Sequence, residues 1–403
     1  MRRFLFVLVL SQSISCDHEQ EKWELDVEQN FLSPMTYPSS AWGSNDFGID
    51  KDKDHITLLQ KFKPSFWVAR GSYRPVDFYN DYLPNTVHKN SQGEIVNETV
   101  TRDILKAIER DPSAFLDFKG EHFRCEQNQC SEEVVPVYGR VFEESLKNPV
   151  NDDSFPVWVL KYSLVFSSSG LPERLSWYKE WSAFVFGNPD DWHELDIHGA
   201  IHLIVSKSSN RPLAVILAQH NYFRTYVVGQ DLALGNGPLN ICFASRTNEP
   251  YLCPESSDPA LFGTVGSLEN FALVYSNEEE ALWDGGMDVV YGEAGGAFEI
   301  PTRVQTLPAK DPLYVSWISM GEKRKFLGFN NYFISGPPGM DLNSFRGLKK
   351  YTDLAMFWYF DPSDRQGFQL LEKISQDFLS ADVSPLLEHN GKKFWSKLES
   401  VSR

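Results

Sequence analysis

Between residues 134 and 321 the chain repeats one pattern: a run dense in β-branched and aromatic residues, followed by a cluster of turn formers. "VVPVYGRVFEE" (134–144), "VWVLKYSLVF" (157–166), "ELDIHGAIHLIV" (194–205), "PLAVILAQHNYFRTYVVG" (212–229), "FALVYS" (271–276), "MDVVYG" (287–292) and "PLYVSWISMG" (312–321) all fit it, and strands are what it predicts. The flanks read differently. "PVDFYNDYLP" after Pro75 predicts a brief helix, and "TVTRDILKAIERDPSAFLDF" predicts another, with Thr101 as N-cap and Ile104, Leu105 and Ile108 at helical spacing. Near the C-terminus "LNSFRGLKKYTDLAMFWYF" and "SDRQGFQLLEKISQDFLSA", split at Asp361-Pro362, place helices over about 341–403. The fold class expected is mainly β: an antiparallel β-sandwich with helical segments at the N- and C-terminal flanks, formed by one domain over 56–403. Residues 16–55 are polar without either period and read as a tether or loosely packed arm. In it "DKDKD" (Asp50, Asp52, Asp54) is a solvated charge run, because a calcium loop would need Gly and Glu where His55 and Lys61 stand.

One strand carries an unusual load of ionisable groups. In "DDWHELDIHGAIHLIV" (190–205), alternation sends Leu195, Ile197, Gly199, Ile201, Leu203 and Val205 to one face. Glu194, Asp196, His198, Ala200, His202 and Ile204 go to the other. "SKSSNRP" then reads as a hairpin connection. A symmetric hairpin pairs Val205 with Leu213 and sets His198 opposite His220, with Tyr222 and Arg224 nearby; a slip of one residue would reverse His220. Three uses fit such a face. Asp191, Asp196, His198 and His220 are candidate ligands for a divalent metal ion, His193 or Glu194 is a candidate general base, and a plain solvated polar face is the third. No zincin motif, nucleophile elbow or phosphate loop is present. Trp177, Tyr178 and Trp181 in "LSWYKEW" are candidate stacking residues for a ligand, or core.

Composition narrows the partners. Of 403 residues 42% are hydrophobic, with 29 Phe, 16 Tyr and 11 Trp, so most of the chain folds. The net charge of −17 and the lack of any Lys/Arg block argue against nucleic acid. "MRRFLFVLVLSQSISC" sets Arg2 and Arg3 before the apolar run Phe4–Leu10, an export signal too short to span a membrane, occupying residues 1–15. Its short apolar run ending at a small residue and Cys resembles bacterial lipoprotein signals, which implies lipidation of Cys16 and a membrane partner. Cleavage after Ser15, with secretion, is the alternative. Extracytoplasmic location follows from both. The remaining cysteines close short loops in "CEQNQC" and "CFASRTNEPYLC", and so predict disulfides Cys125–Cys130 and Cys242–Cys253, with a four-cysteine zinc site as the rival reading.

The order of an aromatic strand, "DDWHELD", a strand, a turn with "RP" and "VILAQHNYFRTY" resembles the necrosis-and-ethylene-inducing-like proteins and the plant and fungal family related to a vacuolar protein sorting factor. Asp191 and Trp192 match the family's Asp-Trp turn and His220 its later His, whereas His193 replaces the Glu after Trp and Asp190 the preceding His. The resemblance implies a sandwich with a metal cavity used at a membrane surface, Asp191 and His220 among its ligands. Three functions follow as expectations: a surface protein binding a glycan or lipid head group, a metal-dependent hydrolase, or a structural lipoprotein.

Overall fold

The computed structural model describes residues 49–69, 72–108, 111, 114–120, 123, 133–151, 153–168, 194–219, 222–232, 238–243, 248, 250–253, 263–265, 290–292, 297–308, 311–315, 319–320, 324–326, 329–331, 351–359, 364–375 and 382–402. The first element, helix α1 (Ile49–Lys61), begins inside the stretch expected to be a tether. Leu59 explains why: it is fully buried under the sandwich, and its carbonyl accepts a bond of 2.9 Å from the Tyr162 hydroxyl. Strand β1 (Ser65–Ala69) follows, and then the brief helix expected after Pro75, a π-type turn (Phe78–Tyr82) running into a 3-10 turn (Leu83–Asn85). Asp77 caps it by accepting from the backbone N–H groups of Tyr79 and Asn80. Strands β2 (Thr86–Lys89) and β3 (Ile95–Asn97) precede helix α2 (Arg102–Ile108), where Thr101 Oγ1 accepts from Ile104 N at 3.3 Å, the N-cap read from the sequence.

After β4 (Phe115–Phe118) come the long strands β5 (Val135–Lys147), β6 (Ser154–Ser168), β7 (Glu194–Ser206), β8 (Pro212–Gln219) and β9 (Tyr222–Val227). Shorter ones follow: β10 (Asn240–Phe243), β11 (Pro250–Leu252), β12 (Gly263–Val265), β13 (Val290–Gly292), β14 (Ala297–Ile300) and β15 (Thr302–Thr306). Helix α3 (Pro312–Val315), strands β16 (Ser319–Met320), β17 (Arg324–Phe326) and β18 (Phe329–Asn331), and helices α4 (Tyr351–Phe357), α5 (Arg365–Ser375) and α6 (Ser384–Ser402) complete the order. Two expectations are corrected here. The run 312–321 is not one strand, because Asp311 Oδ1 accepts from Leu313 N at 3.0 Å and Pro312 suits a first helical turn, so α3 forms. The run 212–229 is two antiparallel strands, with Gln219 paired to Tyr222. The run 271–276 lies outside the described residues.

The fold is mainly β and its sandwich has two sheets. One has six strands in the order β15-β5-β6-β7-β8-β9, the other four in the order β11-β10-β1-β14. Pairing is mostly antiparallel, with parallel contacts at β15–β5 and β1–β10. Between the sheets lies a dry core in which Phe66, Val68, Ile241 and Phe243 meet Leu160, Tyr162, Leu164, Phe166, Ile201, Leu203 and Leu217. Cys242 and Cys253 form the expected disulfide, with Cα atoms 5.1 Å apart, across the β10–β11 end. Cys125, Cys130 and Cys16 lie outside the described residues.

The opposite face of the six-stranded sheet has two covers. At one end Val157, Val159, Ile204 and Ile216 pack on Leu354, Phe357, Leu386 and Phe394 of the C-terminal helices. At the other, Val165, Leu195 and Ile197 pack on Phe78, Tyr82, Leu105 and Leu116. Among the described residues no helix is long and apolar enough to cross a membrane.

The hairpin register read from the sequence holds over its middle, where Ile201 faces Leu217, His202 Ile216, Leu203 Val215 and Ile204 Ala214; at the turn Val205 pairs with Pro212 instead of Leu213. The facial alternation expected for β7 does not hold along its whole length. Against β6, Tyr162 pairs with Ile201 but Leu164 pairs with His198, so β7 carries one extra residue at Gly199–Ala200. That bulge inverts the facing of everything before it. Leu195 and Ile197 therefore lie on the face opposite Ile201 and Leu203, and His202 is separated from Asp196 and His198, with which alternation had grouped it.

Candidate functional site

The start of β7 gathers the described part of the ionisable cluster. Leu195 has φ 53°, a conformation that bulky side chains rarely adopt, and it stands between two carboxylates. The twist parts them. Glu194 reaches the side covered by the 78–85 turns and β4, where its Oε1 accepts from the Tyr82 hydroxyl at 2.5 Å and from Phe118 N at 2.8 Å. Asp196 goes to the other side, where Asn248 Nδ2 donates to its Oδ2 at 2.8 Å. Asn248 is fully buried with φ 59°, a region that Asn tolerates, and the same amide donates to Ser168 O at 2.8 Å. Its Oδ1 accepts from Ser72 Oγ at 3.4 Å. Sequence distance hid these partners: Tyr82 is 112 residues from Glu194.

Burial dominates the electrostatics of Glu194. Loss of water raises its carboxyl pKa to about 7, with the Asp117 charge adding to the rise, while the bonds from Tyr82 and Phe118 N and the Lys89 charge oppose it. Tyr82 is pushed well above the ordinary tyrosine value by burial and by the Glu194 charge, so it remains a neutral donor. Lys89 and Asp117 neutralise each other in an ion pair of 2.5 Å. At neutral pH Glu194 is thus divided between acid and carboxylate, able to take or give a proton.

Aromatic rings frame this carboxyl. Tyr82 stacks on Phe118 with centroids 5.3 Å apart and on Phe78 at 5.7 Å; Phe118 then meets Phe123, whose ring lies 4.7 Å from the Arg74 guanidinium carbon. The same turn walls a cavity of about 410 Å³ lined by Tyr79, Asn80, Thr99, Arg102 and Gln305 among others. Two buried aspartates fix its polar lining: Asp77 accepts from Asn80 Nδ2 at 2.8 Å and from Arg303, which in turn holds Gln305, and Asp311 accepts from Tyr79 and Arg102.

Of the other site residues expected, Arg224 is on β9 opposite Leu217, with its guanidinium 5.1 Å from the Tyr226 ring. His198 and Tyr222 are placed in β7 and β9, their side chains outside the described residues. Trp177, Tyr178, Trp181, Asp191, His193 and His220 also lie outside them. Among the described residues no three His, Cys, Asp or Glu side chains are grouped to hold a metal ion. His202 is fully buried, its ring 5.3 Å from Tyr351 of α4, and neither ring nitrogen has a hydrogen-bond partner. Burial, and then the neighbouring Lys161 charge, hold its pKa well below the ordinary value.

The chain matches no protein-family model and no curated protein sequence. Solved structures of NLPPya, a necrosis-and-ethylene-inducing-like protein, are similar: the complex with mannosamine at TM-score 0.29 and 12% identity, covering 66% of this chain and 83% of that one. The complex with glucosamine stands at TM-score 0.28 and 11% identity, covering 66% and 83%. A structure described as a toxin fold for microbial attack and plant defense stands at 0.28 and 12%, covering 66% and 82%.

Proposed function

We propose that this chain is an exported surface protein that binds a glycan or lipid head group at the start of β7, with Glu194 as its fixed acceptor. One observation carries the reading: beside the strained residue Leu195, the Glu194 carboxylate is held in place by the Tyr82 hydroxyl and Phe118 N next to stacked aromatic rings, at the strand end that directly follows Asp191 and His193 in sequence. Hydroxyl-rich ligands are recognised by just such prearranged acceptors beside aromatic rings. The signal-like start delivers the chain across a membrane, where it is tethered through Cys16 or released by cleavage after Ser15. A divalent ion on Asp191, Asp196, His198 and His220 is the metal-assisted form of the same proposal.

The test is calorimetric titration of the chain without its signal and Cys16, residues 17–403, with amino sugars, neutral oligosaccharides and head-group-bearing vesicles, alongside Glu194→Gln and Asp196→Asn and with elemental analysis of each preparation. Saturable heat that falls at least tenfold in Glu194→Gln supports the reading, and a further loss in Asp196→Asn its metal-assisted form. Equal heat in all three proteins, or none with any ligand, sinks it. A second reading, metal-dependent hydrolysis with Glu194 as general base, is favoured by the carboxyl pKa of about 7, close to the ideal for proton transfer at neutral pH. Turnover that disappears in Glu194→Gln while binding persists would select it.

A further inference from the structure

Strand β3 forms an outer edge of the small sheet ordered β16-β4-β2-β3. Two of its three residues are apolar and outward: Ile95 is 55% exposed and Val96 54%. An exposed apolar edge with unpaired backbone groups is a template for pairing with another chain, and proteins blunt such edges with charge, proline, bulges or cover. Ile95 and Val96 themselves supply no charge. The next residues do supply an acceptor for a cover, because "NET" (Asn97, Glu98, Thr99) is the one Asn-x-Ser/Thr triplet of the sequence in which x is not proline.

We propose that Asn97 is a site of N-linked glycosylation and that its glycan shields the β3 edge. The inference rests on the export reading above, and within it goes with release after Ser15 into a secretory lumen. In the reaction the Asn97 amide nitrogen bonds to the anomeric carbon of a polyprenyl-diphosphate-linked oligosaccharide. The bond from that carbon to the diphosphate oxygen breaks, polyprenyl diphosphate leaves with the electron pair, and one amide proton is lost. The folded structure accommodates the product. Asn97 stands opposite His88 across β2, and its Nδ2 lies 2.9 Å from His88 Nδ1; that bond uses one amide hydrogen, and the sugar replaces the other. Glu98 and Thr99 are exposed, so the chain beyond the acceptor leaves room for a branched glycan.

Cell-free synthesis of the full chain with eukaryotic microsomes tests this, using both its own first 15 residues and a host signal peptide in their place. Expected is a protease-protected chain with a gel shift that peptide-N-glycosidase reverses, absent in Asn97→Gln and in Thr99→Ala and retained in Thr99→Ser. Protected chain without the shift overturns the site, as does a shift that survives Asn97→Gln. Protection with the host signal alone would defeat the export reading and still decide Asn97. For the shielding role, the glycosylated protein and Asn97→Gln are compared by light scattering: the variant is expected to self-associate, and Asn97→Gln/Val96→Lys to return to monomer. A variant as monomeric as the glycoprotein overturns shielding.

Discussion

The two faces of the six-stranded sheet are built from alternate residues of the same strands, yet they differ in kind. The face toward β1, β10 and β14 is apolar through its middle, with Leu160, Tyr162, Leu164, Ile201, Leu203 and Leu217 interdigitating with the second sheet. On the other face, pairing places Arg140, Lys161, His202, Ile216 and Thr225 in one row across β5 to β9, and α4 covers it. Tyr351, at one end of α4, lies against Phe142 and His202; past the other end, Trp358 O accepts from Thr225 N at 3.2 Å. Packing holds both faces, but the second also buries groups that prefer water.

The largest effect should come from the dry face. Phe166 is fully buried and its ring meets Phe243 at 5.0 Å. Phe166→Ala should cost about 3–5 kcal/mol in chemical denaturation, and a cost below about 1 kcal/mol would mean the two sheets are not packed as described.

The next effect is a pH slope that belongs to Glu194. Its folded pKa is raised, so its contribution is fully present below about 4.5 and is lost as pH rises to about 7. The total is about 3 kcal/mol at 1.36 kcal/mol per unit. For His202 the folded pKa is depressed, so its contribution is present above 6.5 and is lost as pH falls below that value. Just below 6.5 the two slopes oppose each other, so in the parent protein each offsets the other. Glu194→Gln should therefore gain stability from pH 5 to pH 6, and His202→Leu should lose about 1 kcal/mol over the same interval. Denaturant midpoints at the two pH values check both signs, and parallel slopes in the two variants would remove the comparison.

His202→Leu makes a smaller prediction at pH 7.5. Because both ring nitrogens lack partners, an apolar side chain of similar reach should raise stability by about 1–2 kcal/mol, an outcome read from the thermal midpoint. A fall of similar size would mean that the polar row serves the helical cover. The smallest effect belongs to the surface: Lys392→Ala removes an i,i+4 pair with Glu388, 2.6 Å apart, and should change stability by no more than about 0.5 kcal/mol.

The sequence made the long strands legible because each carries enough β-branched and aromatic residues to outweigh its polar ones. The hairpin register of Ile201 against Leu217 followed from a symmetric turn, and the Cys242–Cys253 bridge from a short loop. Less could be read where a single residue decides. The extra residue at Gly199–Ala200 leaves the composition of β7 unchanged and yet reverses half its side chains; a glycine inside a strand was the available signal. The short strands β1, β10 and β14 have no period long enough to recognise, although they make the second sheet. Glu194 and Asp196 were identifiable as candidates, but Tyr82, Phe118 and Asn248 were not, since nothing local marks a partner brought in by tertiary folding.

The parallel pairing of β1 with β10 carries a consequence for synthesis. β1 leaves the ribosome with Phe66, Trp67 and Val68 exposed, and its partners Ile241, Cys242 and Phe243 arrive roughly 170 residues later, about 10–30 s at ordinary elongation rates. Its other neighbour, β14, comes later still. The nascent chain thus holds an apolar strand open for a large part of translation, which invites chaperone binding and disfavours early collapse. A polypeptide with this topology cannot close its sandwich until well past the middle of its synthesis, so the two sheets form late and together.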